Sequence, residues 1–362
     1  MRLRPEYHKL IGYALIGCVV FLSYGAILWN GAGWSHPDDQ AAVDADCCAF
    51  RPLTGATYAI NRWLGGGWTL VNLCLHGAMA MLLYRFSGQW IAGALFAAHP
   101  LAADAVASMA ARSAIIAAVG VGLVITARLR WVAVPVVILA IGMTPKQFLT
   151  VEDAPALAAH TFRFTGAIGG YFIPRIFVPV QLSADPEISV RYVGVLAIAV
   201  VIGAMWIWPK YRKPGLLLLV PLIPYALIPL PDPFFEHRGY LALAGGCWLI
   251  ALLPRSFALA LLPLFIVIAQ ERAVVYQSSL TLWVDAASKA PNKARTQVNA
   301  GIVLARHGRY REAEAAFQRA IQLNPDMEQS WNGLAMMYIA RNNFTEASRV
   351  MDEWDAHRKV EQ

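Results

Sequence analysis

Charged side chains are scarce in this chain. Asp, Glu, Lys and Arg make up 15% of its 362 residues, against about a quarter in a soluble globular protein. So few cannot cover a fully water-facing surface, which excludes a wholly soluble enzyme. A disordered tail protein, which needs high charge and low hydrophobicity, is excluded too. Cysteine is also sparse: the five present, three of them inside apolar stretches, make no disulfide framework. The adjacent Cys47 and Cys48 have no role legible from their position. Acids are unevenly spread, with 12 of 23 in residues 1–269 and 11 in the much shorter stretch 270–362. Four of the first group (Asp38, Asp39, Asp44 and Asp46) crowd one loop.

Hydrophobicity fills the space that charge leaves. Apolar residues make up 58% of the chain, and mean hydropathy is +0.48. Net charge is +7, of which residues 270–362 supply only +1 (12 basic minus 11 acidic). The basic excess therefore sits in the apolar part, where it reads as positive-inside anchoring and not as a nucleic-acid surface. Leu10 to Trp29 is about 20 residues long, beyond the usual 7–15-residue core of a signal peptide. It reads as a retained first span behind a cytoplasmic basic N-terminus.

A bilayer core takes about 20 mostly apolar residues per helix. The segments 10–29, 68–84, 87–103, 105–126, 131–145, 165–182, 191–208, 215–230, 239–254 and 256–269 qualify. Basic residues cluster at Arg2/Arg4/Lys9, Arg85, Arg128/Arg130, Lys210/Arg212/Lys213 and Arg255. Placing all of them on the cytoplasmic side puts the acidic loop 30–67 and the segment 231–238 on the other side. Parity then requires the polar stretch 147–163, with Glu152, Asp153 and His160, to cross or re-enter, and marks 146–163 as cavity-lining. The expectation is an all-α protein with about eleven crossings, N-terminus in and C-terminus out.

Beyond the spans the chain repeats itself every 34 residues. Tyr310 pairs with Phe344, Glu312 with Glu346, Ala313 with Ala347 and Leu304 with Tyr338; upstream, Ala286 and Pro291 anticipate Ala320 and Pro325. This is the tetratricopeptide period, with Gly308 suited to a turn between helices and Pro325 ending one. The predicted organisation is a polytopic membrane domain over 1–269 and a short tetratricopeptide-repeat domain over 270–362, with 274–290 as a leading half-repeat. The repeats serve either as a packing cap or as a dock for an acceptor polypeptide.

Ionisable groups in or beside spans are costly and are functional hypotheses by default. The outer-side set is Asp38, Asp39, Arg51, His76, His99, Asp104, Arg112, Lys146, Asp185, Glu236, His237 and Arg238. Asp104 and Arg112 lie eight residues apart, a spacing that puts them on one face of a continuous helix. Cations suit an anionic ligand such as a lipid phosphate, and a carboxylate suits the activation of a hydroxyl.

These residues come in a recognisable order. Asp38-Asp39 is followed by Arg51-Pro52-Leu53, Asn61 and Val71-Asn72-x-x-x-His76. Then come Leu95-Phe96-Ala97-x-His99-Pro100-x-x-x-Asp104-Ala105-Val106 with Arg112, and Glu236-His237-Arg238-x-Tyr240-Leu241 before the repeats. Together they resemble the transmembrane and tetratricopeptide-repeat O-mannosyltransferases and their bacterial relatives, within the GT-C class of polyprenyl-phosphate-sugar glycosyltransferases. The resemblance implies transfer of a sugar, mannose by family default, from a polyprenyl-phosphate donor to a hydroxyl of a protein or glycan at the periplasmic or lumenal face. It also implies a base at Asp38 or Asp39 and inversion at the sugar. Donor phosphate and sugar would be held by Arg51, His76, His99, Asp104, Arg112, Lys146, Glu236, His237 and Arg238. The class has metal-dependent and metal-independent members, so a divalent metal stays open. The family shows Lys-Glu where this chain has Lys146-Gln147, and animal members carry more repeats; these departures imply either a changed acceptor or donor specificity or a lost activity.

Plainer readings stand beside each of these. The loop acids could be solvated, and His76 and His99 could be packing histidines. Asp104 with Arg112 could form a buried structural pair. Glu236 and Arg238 could belong to a surface loop, and Lys146 could snorkel. The competing functions are a membrane scaffold that recruits a partner through its repeats, and a transporter of lipid-linked sugars. Compact size and the lack of a retrieval signal favour a bacterial inner membrane with periplasmic repeats.

Overall fold

The computed structural model describes residues 5–29, 52–63, 68–109, 111–127, 154–187, 191–227 and 235–361. Among these residues all regular structure is helical. The chain divides into two compact units. One is Met1–Leu182 with Ile188–Ser278, and the other is Ser279–Gln362 with the segment Ser183–Glu187.

The first unit begins with α1 (Pro5–Tyr24), α2 (Pro52–Trp63) and α3 (Trp68–Ser87). Next come α4 (Trp90–Ala98), α5 (Ala103–Ala107), α6 (Arg112–Ala127) and α7 (Ala154–Gly166). It continues through α8 (Ile173–Phe177), α9 (Arg191–Ile207), α10 (Arg212–Leu219) and α11 (Ile223–Leu227), and closes with α12 (Tyr240–Ala251) and α13 (Arg255–Val275). Its centre is α4, whose residues Ile91–Ala98 are all buried.

The expected count of about eleven crossings is corrected here. Among the described residues three helices are long and apolar enough to cross a membrane: Glu6–Tyr24, Trp68–Ser87 and Arg255–Val275. A fourth is added if Trp90–Ala98 and Pro100–Ala107, bent by 57°, count as one. The remaining described segments are apolar but broken or short. Proline is one cause, because it removes a donor and clashes with the preceding turn. The segment 215–230 splits around Pro221 and Pro224 into α10, a 3-10 turn Val220–Leu222 and α11. Segment 131–145 and residues 146–153 of the polar stretch lie outside the described residues, while 154–163 are helical in α7.

Two breaks shape the interior. Pro100 disfavours helical geometry at the residue before it, and His99 is extended at φ −72° and ψ 123°. The chain then makes a 3-10 turn and the five-residue α5, and Ser108 ends that helix in an extended conformation. Between α7 and α8 the backbone widens into a π-turn, Ala167–Phe172. There Gly169 meets Gly194 of α9 so closely that a Cβ on Gly169 would overlap the Gly194 carbonyl. Only glycine permits that approach.

The second unit consists of α14 (Ser279–Lys289), α15 (Ala294–Arg306), α16 (Tyr310–Leu323), α17 (Glu328–Ala340) and α18 (Phe344–Glu361). Here the 34-residue period becomes geometry, because α15 and α17 start 34 residues apart and so do α16 and α18. The turns repeat as well. Gly308 (φ 72°) and Asn342 (φ 57°) occupy equivalent places in left-handed conformation, which glycine adopts freely and asparagine tolerates. Trp283, Phe317, Trp331, Leu334, Tyr338 and Trp354 build the core. Burial pushes the Tyr338 phenol up to about 12, helped by its hydrogen bond to Glu314 Oε1 at 2.7 Å.

The segment Ser183–Glu187 gives this unit a buried carboxylate. Asp185 is fully buried and pairs with Lys293 Nζ. It also accepts from Thr296 Oγ1 at 3.1 Å and lies 3.5 Å from Arg295 Nε. Lys293 is the N-cap of α15 and gives no side-chain capping bond. The acid that lies against the first turn of this helix thus comes from a distant part of the chain, where the helix dipole favours negative charge.

Candidate functional site

Of the expected site residues, Asp38, Asp39, Arg51 and Lys146 lie outside the described residues. Asp185 belongs to the second unit, against the start of α15, and the others are all in the first unit and fall into three neighbourhoods.

The first neighbourhood is the turn Glu236–Gly239 that leads into α12. Its residues point different ways. His237 faces α5, where Asp104 Oδ2 accepts from its backbone N–H at 3.0 Å and pairs with Nδ1 at 2.7 Å. The Asp104 side chain is 4% exposed and that of His237 27%. The Phe235 ring lies parallel to the imidazole, 5.6 Å away at 11°, and the Arg238 guanidinium sits 4.9 Å over that same Phe235 ring. Glu236 points inward and is fully buried. It accepts from Tyr171 OH at 2.6 Å and lies 3.5 Å from Arg272 Nη2. Arg272 also donates to Tyr276 OH at 3.3 Å. Three consecutive polar side chains thus face three different partners: Tyr171 with Arg272, Asp104, and the Phe235 ring.

The second neighbourhood holds two fully buried histidines. His76 Nδ1 lies 2.7 Å from Tyr240 OH and Nε2 3.3 Å from the Ala97 carbonyl. His99 Nε2 lies 3.0 Å from the Ile176 carbonyl, while its Nδ1 accepts from Leu101 N–H at 3.2 Å. Tyr24 joins the two, donating to the His99 carbonyl and meeting the His76 ring edge-on at 5.5 Å. These contacts tie helices together.

The third is built on Arg112, which is fully buried. Its Nε donates to Asn72 Oδ1 at 2.6 Å, Nη1 to Asn61 Oδ1 at 2.7 Å and Nη2 to the Trp68 carbonyl at 2.7 Å. The guanidinium lies 4.9 Å from the Tyr58 ring centre. Asn72 in turn donates to the Ser108 carbonyl at 2.9 Å, so α2, α3 and the end of α5 converge on one cation. The single helical face expected for Asp104 and Arg112 is not formed. The helix ends at Ser108 and restarts at Arg112, which sends Asp104 to His237 and Arg112 to the asparagines.

Residues 304–360 match the tetratricopeptide repeat family. Over 77 residues the chain is 36% identical to Protein O-mannosyl-transferase TMTC2 of Mus musculus, a match covering 18% of this chain and 9% of that protein. The matched part is therefore a small fraction of the relative's length. No solved structure matches.

Tyr171, Tyr276 and Arg272 are site neighbours that pattern reading passes over. The tyrosines look like belt aromatics, and Arg272 falls beyond residue 269, where the apolar run ends; α13 continues through it to Val275. Their one visible signal is position, since Arg272 lies on the same helix as a long apolar run. Among the described residues no group of three or more His, Cys, Asp or Glu could hold a metal ion.

Proposed function

We propose that this protein is a membrane glycosyltransferase of GT-C type, which takes a sugar from a polyprenyl-phosphate donor and transfers it to a hydroxyl of a protein or glycan. The observation that carries the reading is the Glu236-His237-Arg238 turn meeting Asp104 in a unit otherwise lined by apolar helices. Buried carboxylates and cations are expensive in such surroundings and are retained where chemistry needs them. The similarity to an O-mannosyl-transferase over a small part of the chain supports it.

In this reading the loop 30–67 and the 236–238 turn lie at the non-cytoplasmic face. Asp38 or Asp39 removes the acceptor proton while the acceptor oxygen attacks the sugar C1. The C1–O bond to phosphate breaks with its electron pair going to phosphate, and the anomeric centre inverts. Arg51, Lys146 and Arg238 hold the phosphate, and a divalent metal remains compatible with the chemistry. His76, His99 and Arg112 hold the surrounding helices together through the contacts described above. Mannose is the sugar to test first.

Asp38→Asn combined with Asp39→Asn should abolish sugar transfer to surface proteins, read by mass spectrometry, with expression unchanged. Continued glycosylation by the double variant would sink the enzyme reading. The repeat unit equally fits a second reading, a scaffold that recruits a partner, which predicts that the double variant keeps full function.

A further inference from the structure

We infer that the bend between α9 and α10 is a binding site for an anionic phospholipid of the surrounding bilayer. In it Lys210, Arg212 and Lys213 take the headgroup phosphate, and the open face of α9 takes the acyl chains. The site needs no sugar transfer and stands apart from the glycosyltransferase reading.

The chain has no Asp or Glu between Glu187 and Asp232, so these cations have no acid close in sequence. All three are exposed, and none makes an ion pair among the described residues. Two of them are nevertheless held in place. Lys210 Nζ lies 4.7 Å over the Tyr211 ring. Arg212 Nε donates to the Met205 carbonyl at 3.1 Å, which leaves the terminal nitrogens of the guanidinium for an anion. Pro209 opens the 3-10 turn Pro209–Tyr211. Gly215 lies so close to the end of α9 that a Cβ there would overlap the Met205 side chain. A bend fixed in this way loses little freedom on binding.

The surroundings decide between a lipid and a soluble anion. Trp206 is 83% exposed and Trp208 49%, and tryptophan beside Lys and Arg marks the headgroup level of a bilayer. Trp208 meets the Tyr211 ring edge-on at 6.0 Å. Val193, Leu196, Val200 and Ile207 are exposed on one face of α9, at steps that follow the helical repeat. At Gly203, on the same face, an added Cβ would meet nothing within 4 Å. From Val193 to Ile207 this face runs roughly 21 Å at 1.5 Å per residue. That exceeds the roughly 15 Å of hydrocarbon in one leaflet. A phosphate with acyl chains attached fits an apolar face that ends in cations. A free phosphate would leave the face bare.

The test titrates the full chain in neutral detergent with phosphatidylglycerol and with phosphatidylcholine of the same acyl chains, counting bound lipids by native mass spectrometry. Wild type should retain phosphatidylglycerol in preference. A basic residue beside an anionic surface is worth about fivefold in affinity, so Lys210→Gln with Lys213→Gln should weaken phosphatidylglycerol roughly twentyfold. Phosphatidylcholine should bind this double variant as it binds wild type. Arg85→Gln with Arg255→Gln removes two other exposed cations and should leave phosphatidylglycerol at its wild-type affinity. An equal loss in both double variants would reduce the effect to diffuse attraction and overturn the site. Equal affinity of wild type for the two lipids would overturn it too, as would displacement of the lipid by inorganic phosphate. A polyprenyl phosphate that binds more tightly, and is lost with Lys210 and Lys213, would overturn the phospholipid assignment. So would a dimer that retains no lipid, with the α9 face covered by a second copy. Sugar transfer does not enter the readout, so the outcome leaves the enzyme reading to its own test.

Discussion

Arg112 illustrates what a buried cation does when its partners come from several elements. The guanidinium fork matches Asn61, Asn72 and the Trp68 carbonyl. Removing it leaves two buried amide oxygens short of a donor, at about 1–3 kcal/mol each. Arg112→Ala should therefore lower the thermal midpoint of the detergent-solubilised protein clearly. Arg112→Lys should recover only part of it, because an ammonium lacks the planar fork. A midpoint unchanged in the alanine variant would show that the cluster does not hold the fold. Much of this residue-level picture is legible in the sequence: Asn61, Asn72, His76 and Arg112 stand out as polar groups among apolar ones. Which of them touch is not legible, because a break at Ser108 redirects two of the charges.

At the scale of the element, breaks matter as much as helices. Pro100, the π-turn before α8 and the prolines around Val220–Leu222 cut apolar runs into pieces that a hydropathy window reads as continuous. Buried broken helices are tolerable where protein surrounds the freed backbone groups. The repeat helices behave differently, since their register is local and the period read from the chain reappears in helix starts and in both left-handed turns. Asp185 is the non-local exception. In the full chain Asp185→Asn should speed amide hydrogen exchange in the first turns of α15 and leave α17 and α18 at wild-type rates. It removes the anion at that N-terminus while the side chain keeps its size. Uniform exchange across α14–α18 in the variant, or none beyond wild type, would argue against a local capping role.

At the scale of the whole molecule the sidedness of the repeats follows from the parity of the crossings. With a cytoplasmic N-terminus, three crossings place the repeats on the far side, whereas four return them to the cytoplasm. The glycosyltransferase reading requires the far side. A single cysteine at exposed Ser288 or Arg349 in the repeat unit, with the native cysteines replaced, should react with a membrane-impermeant thiol reagent in intact cells. One at exposed Tyr7 should react only after lysis. The opposite pattern would remove the proposed site from the compartment where lipid-linked sugars are used.

The sequence by itself determined that the protein is helical, that its apolar part is acid-poor and that a 34-residue repeat closes it. These are properties of composition and of local period, which need no knowledge of distant contacts. Tertiary structure alone decided that Asp104 answers His237 and not Arg112. It also decided that Glu236 turns inward to Tyr171 and Arg272, and that Asp185 serves a helix more than a hundred residues away. Each of those pairings satisfies a buried charge. The partner of a buried charge is chosen by where backbone breaks aim it, and a linear pattern does not record that direction.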